Sequence, residues 1–494
     1  MSTDAKVAIA IFAVAMVGTL ALGIAAMRGR DANLSEWSVG GRSFGVLLTW
    51  VLLAGECYTS FSYLGAAGWA YGYGAPIFYL VGYMATGYAT VYLFAPMVWG
   101  YAKRHDLISI TDVIAHRFGS KRFGAFVAIV ATLALLPYIQ LQIQGMGLVV
   151  SALSYGEIGL KTAFVIGFVV SAGFVLVSGL RGSAWVSVLK DELVILTIVF
   201  LAIYLPLKLF GSYGHLFERI RTEKPQWLTL PGNDSPGLGV LWFMSTCILN
   251  GVTFTVFPSF VAGYLGSRSA NTIRRNAIFL PMYSILLLVP VMLGMAALFV
   301  VPNLDTNDLA LLSMVTRELP AWVVGIIGVA GALSAIVPMA VFMLCIGTMW
   351  GKSVLGGSDA GRHKRQSQVV VFVSGLVALG GALLFPDALV RLSVLSYEGI
   401  AQLVPAVVGG LLWRRMTVQG ALAGLIVGEA IVVPLALSGN DPLLGVNVGL
   451  IGLVANALVN VAVSRATAPA VPSPVSERFQ RKSLGSATPS SSQV

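Results

Sequence analysis

Apolar runs of about twenty residues, parted by short polar connections, follow one another from residue 6 to residue 464. A run of that length crosses the hydrocarbon of a bilayer as a single helix. The pattern predicts thirteen spans, at 6–27, 44–70, 73–100, 123–152, 162–180, 185–208, 237–264, 276–301, 320–349, 369–386, 389–413, 418–438 and 443–464. Two of them are interrupted. "LLAGECYTSFSYLGAAGW" (52–69) carries Glu56, glycines and a cluster of hydroxyl side chains, and "STCILNGVTFTVFPSFVAG" (245–263) carries Asn250, Gly251, threonines and Pro258. Polar groups in hydrocarbon are costly unless something satisfies them. Five spans separate the first interrupted run from the second, so the two begin on opposite sides of the membrane, as in an inverted repeat whose broken helices expose backbone groups to a midplane site. The plainer alternative is that the glycines and proline only permit close packing or a kink.

Composition agrees with the pattern. Hydrophobic residues make up 57% and charged residues 11%, with a mean hydropathy of +0.85, whereas about a quarter of an ordinary soluble chain is charged. The net charge of +10 does not point to nucleic acid, because the basic residues lie in short connections rather than on one solvent face with aromatics to stack on. With the N-terminus outside and the C-terminus inside, 23 of the 31 Lys and Arg fall on the cytoplasmic side, the orientation the positive-inside rule selects. Cys57, Cys247 and Cys345 sit within apolar runs at spacings that match no metal motif or disulfide framework, and are expected to pack. The run 7–27 is too long for the apolar region of a cleaved signal and is expected to remain as a helix. Residues 108–124 read as a short amphipathic helix with Ser109 or Thr111 as N-cap and Gly119 as terminator, leaving His116 on its surface. The tail 466–494, rich in Ser, Pro and Ala, is expected to be disordered.

Candidate chemistry follows from polar residues placed at helical spacing inside spans. Gln140 and Gln144 are four apart and share a face, as do Glu398 and Gln402. Each pair, like Asn250 in the second interrupted run, either contacts a solute or ties helices together. Glu56, a carboxyl in an apolar setting, is a candidate coupling group, with a permanent structural hydrogen-bond network as its alternative. Lys190, Asp191 and Glu192 form a charged cluster at the start of the sixth span. There Asp191 is the second candidate coupling carboxylate, the cluster serving as a gate or cation path or else snorkelling to the interface. No metal cluster, nucleotide loop or nucleophile-base pair speaks for an enzyme or a primary pump.

Several stretches carry a resemblance. "VGGRSFG" (39–45), "PYIQLQIQG" (137–145), "NTIRRNAIFLPMYSILL" (271–287) and "SYEGIAQLVPAVVGGLLWRR" (396–415) resemble the sodium:solute symporter family over residues 6–464, most of all the branch of bacterial monocarboxylate permeases. The resemblance implies an all-α, LeuT-type core of five plus five helices. In that layout 1–27 is an extra N-terminal helix, 44–208 and 237–413 are the inverted repeats, and 418–464 holds two further helices. It also implies a sodium site built from the carbonyls of Gly55 and Tyr58 with Gly331, Ser334 and position 335, and it favours Gln402 as a solute ligand. Two oxygens expected of such a site are missing, since Ala335 lacks the usual hydroxyl and Cys57 stands where proline permease has an aspartate. A hard cation takes five or six oxygen ligands, so Glu56 either compensates the sodium site or replaces it with a proton site. The expectation is an inner-membrane secondary transporter with no cofactor, coupling a monocarboxylate or amino acid to a cation, sodium being favoured and a proton the alternative. A membrane sensor on the same core is the rival of another class.

Overall fold

The computed structural model describes residues 1–27, 42–55, 57–355 and 360–467, without the side chains of 176–181 and 360–364. The expectations for Glu56, for positions 39–41 and for most of the tail lie outside the described residues.

The described chain is helical. In order come α1 (Thr3–Met27), α2 (Val46–Gly55), α3 (Ala66–Gly72), α4 (Tyr79–Arg104), α5 (Ile110–Phe118), α6 (Lys121–Leu153) and α7 (Leu160–Phe210). Then follow α8 (Tyr213–Glu223), α9 (Val240–Thr253), α10 (Pro258–Leu265), α11 (Ala270–Ser284), α12 (Leu288–Val300) and α13 (Ala310–Glu318). The last are α14 (Ala321–Ser353), α15 (Ala360–Leu384), α16 (Leu389–Ala401), α17 (Gly410–Leu412), α18 (Val418–Leu437) and α19 (Val448–Ala466). Among the described residues eleven stretches are long and apolar enough to cross a membrane. Two shorter apolar helices, Val46–Gly55 and Leu160–Val175, stand at the other two expected spans.

Local chemistry sets the helix ends. The Ser109 hydroxyl accepts from the N–H of Asp112 at 3.2 Å and so caps α5, which Gly119 ends at φ +62°, a left-handed conformation that glycine adopts without strain. Ser120 then caps α6 by accepting from the N–H of Phe123.

Helix α7 needs a separate argument. Its 51 residues would measure roughly 77 Å if straight, against about 30 Å of hydrocarbon. Its start follows the end of α6 by a short connection, while near its other end Lys208 meets Glu318 Oε2 at 3.1 Å, just before α14. Helix α14 itself lays Gly328 against Leu153, at the end of α6. Both ends of 160–210 therefore lie at one face of the molecule. The same face holds the N-terminal ammonium against Glu157 at 2.8 Å.

The opposite face shows how the two broken helices run. Phe44, leading into α2, forms a parallel bridge with Ser267, just past α10: Phe44 N–H donates to Gly266 O at 3.1 Å, and Arg268 N–H to Phe44 O at 3.0 Å. At the far end Trp69 of α3 packs on Trp242 of α9, with ring centroids 5.7 Å apart. The start of one broken helix thus meets the end of the other at both faces, so the pair is antiparallel. The most apolar stretch of α14 is wholly buried. Leu133, Leu196, Ile203 and Met282 point outward, where lipid rather than water would cover them.

Small residues bring backbones together. Gly420, Gly424 and Gly428 line one face of α18, where added methyl groups would run into Ser464, Asn456 and Gln402 respectively. Between α4 and α9, Thr86 and Thr90, one turn apart, donate to Cys247 O at 3.0 Å and to Gly251 O at 2.7 Å.

Candidate functional site at the helix breaks

The first break spends its backbone groups locally. The N–H groups of Cys57 and Tyr58 both donate to Ala54 O, at 2.8 and 3.3 Å. The Ser62 hydroxyl donates to Cys57 O at 2.5 Å and accepts from Thr59 N–H at 3.0 Å. Ser60 N–H donates to Gln142 Oε1 at 3.3 Å. The second break repeats the device, since Val256 and Phe257 both donate to Thr253 O, at 2.9 and 2.8 Å. Pro258, which has no N–H to satisfy, then starts α10.

Aromatic rings from four helices enclose the region between the breaks. Tyr397 stacks on Phe257 at 4.6 Å, Tyr138 meets Phe257 and Phe342 edge-on at 5.7 and 4.8 Å, and Tyr83 lies 5.9 Å from Tyr397. Next to these walls are buried polar atoms with no hydrogen bond inside the protein: Ser60 Oγ, Gln142 Nε2, Thr255 Oγ1, Ser259 Oγ and both amide atoms of Asn250. Buried groups of this kind can take an ordered water, an ion or a ligand as partner.

The carbonyls of Gly55 and Tyr58 are not free. Lys190, wholly buried, donates to Gly55 O at 2.9 Å and to Tyr58 O at 3.1 Å, and pairs with Asp191 Oδ1 at 3.1 Å. Tyr283 OH donates to the same carboxylate oxygen at 3.5 Å and packs edge-on against Tyr58 at 4.9 Å. The snorkelling alternative for this cluster is therefore excluded for Lys190 and Asp191, which lie inside the protein rather than at the interface. Ser334 turns its hydroxyl back onto Ala330 O at 2.9 Å, and Gly331 faces Tyr63 and Val149. A sodium ion does not fit these residues as they stand. Two of its expected carbonyls hold an ammonium, and Ala335 offers no side-chain oxygen.

The glutamine pairs separate. Gln140 Nε2 donates to Phe385 O at 2.9 Å and so braces the end of α15. Gln144 lines a cleft of about 450 Å³ together with Trp69, Lys161, Asn307, Asp308 and Asp387. Gln402 is fully used in packing: its amide donates to Glu398 O and Gly449 O, both at 3.1 Å, and its Oε1 accepts from Asn456 at 3.3 Å. Glu398 accepts from Asn447 Nδ2 at 2.8 Å, beside the start of α19. Neither Gln402 nor Glu398 is turned toward the breaks, because the two C-terminal helices offer both residues closer partners. Asn250 alone of the expected solute ligands stands at a break with its amide unspent.

Gln142 was missed because the spacing 140/144 selects the other side of α6. A signal for it existed in Gly145, three residues on, where a methyl group would run into Ser60. Glycine there lets α6 approach the first break. At the cleft, Asp308 accepts from Leu389 N–H at 2.9 Å, and burial pushes its carboxyl up to about 7. The three cysteines are buried, and among the described residues no group of metal-ligating side chains is found.

The model of the sodium:solute symporter family matches residues 37–428. An uncharacterized symporter of Bacillus subtilis, YhjB, is 37% identical over 476 residues, covering 93% of this chain and 96% of its own. A monocarboxylate transport permease of Rhizobium johnstonii is 30% identical, covering 94% and 98%. In three dimensions the chain is similar to a Na+-coupled sialic acid symporter solved in a substrate-bound outward-open state. The TM-score is 0.74 at 16% identity, over 94% of this chain and 99% of the other.

Proposed function

The chain belongs to the sodium:solute symporter family, whose members are transporters rather than enzymes, and from that premise we propose that it takes up a small organic solute, a monocarboxylate or an amino acid, by cation-coupled alternating access. The observation that carries this reading is the set of orphaned polar atoms beside two antiparallel helix breaks, Ser60 Oγ, Gln142 Nε2 and the amide of Asn250. A solute lying between Tyr397, Tyr138 and Phe257 would supply their missing partners, and the aromatic walls would cover its apolar part. The similarity to a monocarboxylate permease supports the solute class.

In this reading 44–208 and 237–413 are the inverted repeats and the midplane site lies between their first helices. The N-terminus faces outward, and the face holding Lys352, Arg117 and the Phe44–Ser267 bridge is cytoplasmic, in keeping with its basic residues. The test is uptake by purified protein in proteoliposomes, using radiolabelled monocarboxylates and amino acids under imposed sodium or pH gradients. Saturable uptake with counterflow exchange is expected for at least one solute. Absence of counterflow for the whole panel would overturn the reading.

A further inference from the structure

We infer that the ammonium of Lys190 is the resident cation of the first helix break, standing where the resemblance places sodium, so that this protein binds no sodium ion there. The inference rests on the carrier reading only in calling this break a transport site.

An ammonium has three N–H donors and no acceptor. Here the three acceptors around it are Gly55 O at 2.9 Å, Tyr58 O at 3.1 Å and Asp191 Oδ1 at 3.1 Å. The set is complete, and it uses the two carbonyls that the unwinding of α2 sets free. Position 55 is shaped for this guest, since a side-chain carbon there would come within 3.3 Å of the ammonium nitrogen and 3.4 Å of Ser187 Oγ. The carboxylate that balances the charge is the next residue of the same helix, and Tyr283 steadies it from α11.

A second cation at the same carbonyls would face the ammonium at close range in a buried setting, where charges repel far more strongly than in water. On the α14 side it would also meet only a methyl group at Ala335, beside the Ser334 hydroxyl. A free sodium ion arrives from one side and leaves to the other. A cation tethered to α7 can do neither.

The experiment reads ion binding without any solute. Thermal unfolding of the full chain in detergent is followed in sodium chloride and in choline chloride at equal ionic strength, for the wild type, Lys190→Ala and Lys190→Gln. The wild type is expected to show no difference between the two salts. Lys190→Ala, which vacates the carbonyls and leaves Asp191 without its partner, is expected to gain a sodium-specific rise in Tm of several degrees, because a ligand that binds only the folded state stabilises it. Lys190→Gln carries the same comparison if the alanine variant is not recovered folded. A sodium effect in the wild type that is the same or larger than in the variants would overturn the inference. So would folded variants that gain none. Failure of every solute to be transported would sink the carrier reading and leave this comparison standing.

Discussion

The N–H of Ser60 donates to Oε1 of Gln142 at 3.3 Å, joining the unwound stretch between α2 and α3 to the middle of α6, while the other end of the same amide has no partner. Half of Gln142 is thus spent on holding the break, and the other half is free to meet a solute in the proposed reading. Gln142→Ala is expected to weaken solute binding by about 1–3 kcal/mol, the range for a buried group left unsatisfied. Gln402→Ala should instead lower Tm and leave affinity unchanged, because its amide is consumed between α16 and α19. Titration calorimetry beside thermal unfolding checks both.

Asn250 gives the opposite pairing of effects. Both ends of its amide are buried without partners, so the empty protein bears the cost of desolvating it. Asn250→Ala is expected to leave stability unchanged or raise it by about 1 kcal/mol while weakening the solute, the usual trade at a binding site. A variant that is both less stable and unimpaired in binding would place Asn250 in packing.

Lys190 and Asp191 should be coupled in stability. Removing either partner of a buried ion pair costs about 3–5 kcal/mol, whereas replacing both by apolar residues can be close to neutral. Lys190→Met and Asp191→Leu are each expected to destabilise strongly, and the double variant to lose less than the sum by at least about 1 kcal/mol. Denaturation of all four proteins of the cycle in one detergent measures the coupling.

The acid dependence of the cleft beside Gln144 centres on Asp308. Burial raises its carboxyl from an ordinary 3.8 to about 7, so the folded state holds a proton that the unfolded state has lost between those values. Its contribution to stability is complete below the ordinary value and disappears as pH rises through about 7. Asp308→Asn, which keeps an oxygen for Leu389 N–H, should remove this part of the Tm-against-pH profile. Identical profiles for the two proteins would refute the assignment.

The breaks were legible because a polar cluster in an apolar run admits few explanations, and Gly55, Asn250 and Pro258 marked them directly. Helix spacing also brought Gln140 and Gln144 forward as a pair. What spacing cannot supply is the azimuth of α6 about its axis, which depends on neighbours distant in sequence. The structure turns Gln142 to the break, Gln144 to the cleft and Gln140 to the end of α15. The setting of Gln402 is hidden for a related reason, since α19, which takes up its amide, and α18, whose Gly428 packs on it, follow in the chain and carry no mark of that contact except their glycines. Lys190 is marked as charged by the sequence, which leaves open a gate, a cation path or snorkelling to the interface. Its reach of four methylenes into a break formed 135 residues earlier is a property of tertiary packing alone.

The threonine bonds between α4 and α9 bear on how the molecule can move. Thr86 and Thr90 hold two successive turns of α9 to α4, and an added methyl group at Gly87 would press on the ring of Phe254 at the second break. Two fasteners one turn apart forbid rotation as well as separation, so α4 and the first half of the second broken helix behave as one stiff lever. Whichever side the midplane opens to, that lever must tilt as a unit, and the softer joint is the few residues at 254–257, where Thr253 O alone carries the backbone bonds across.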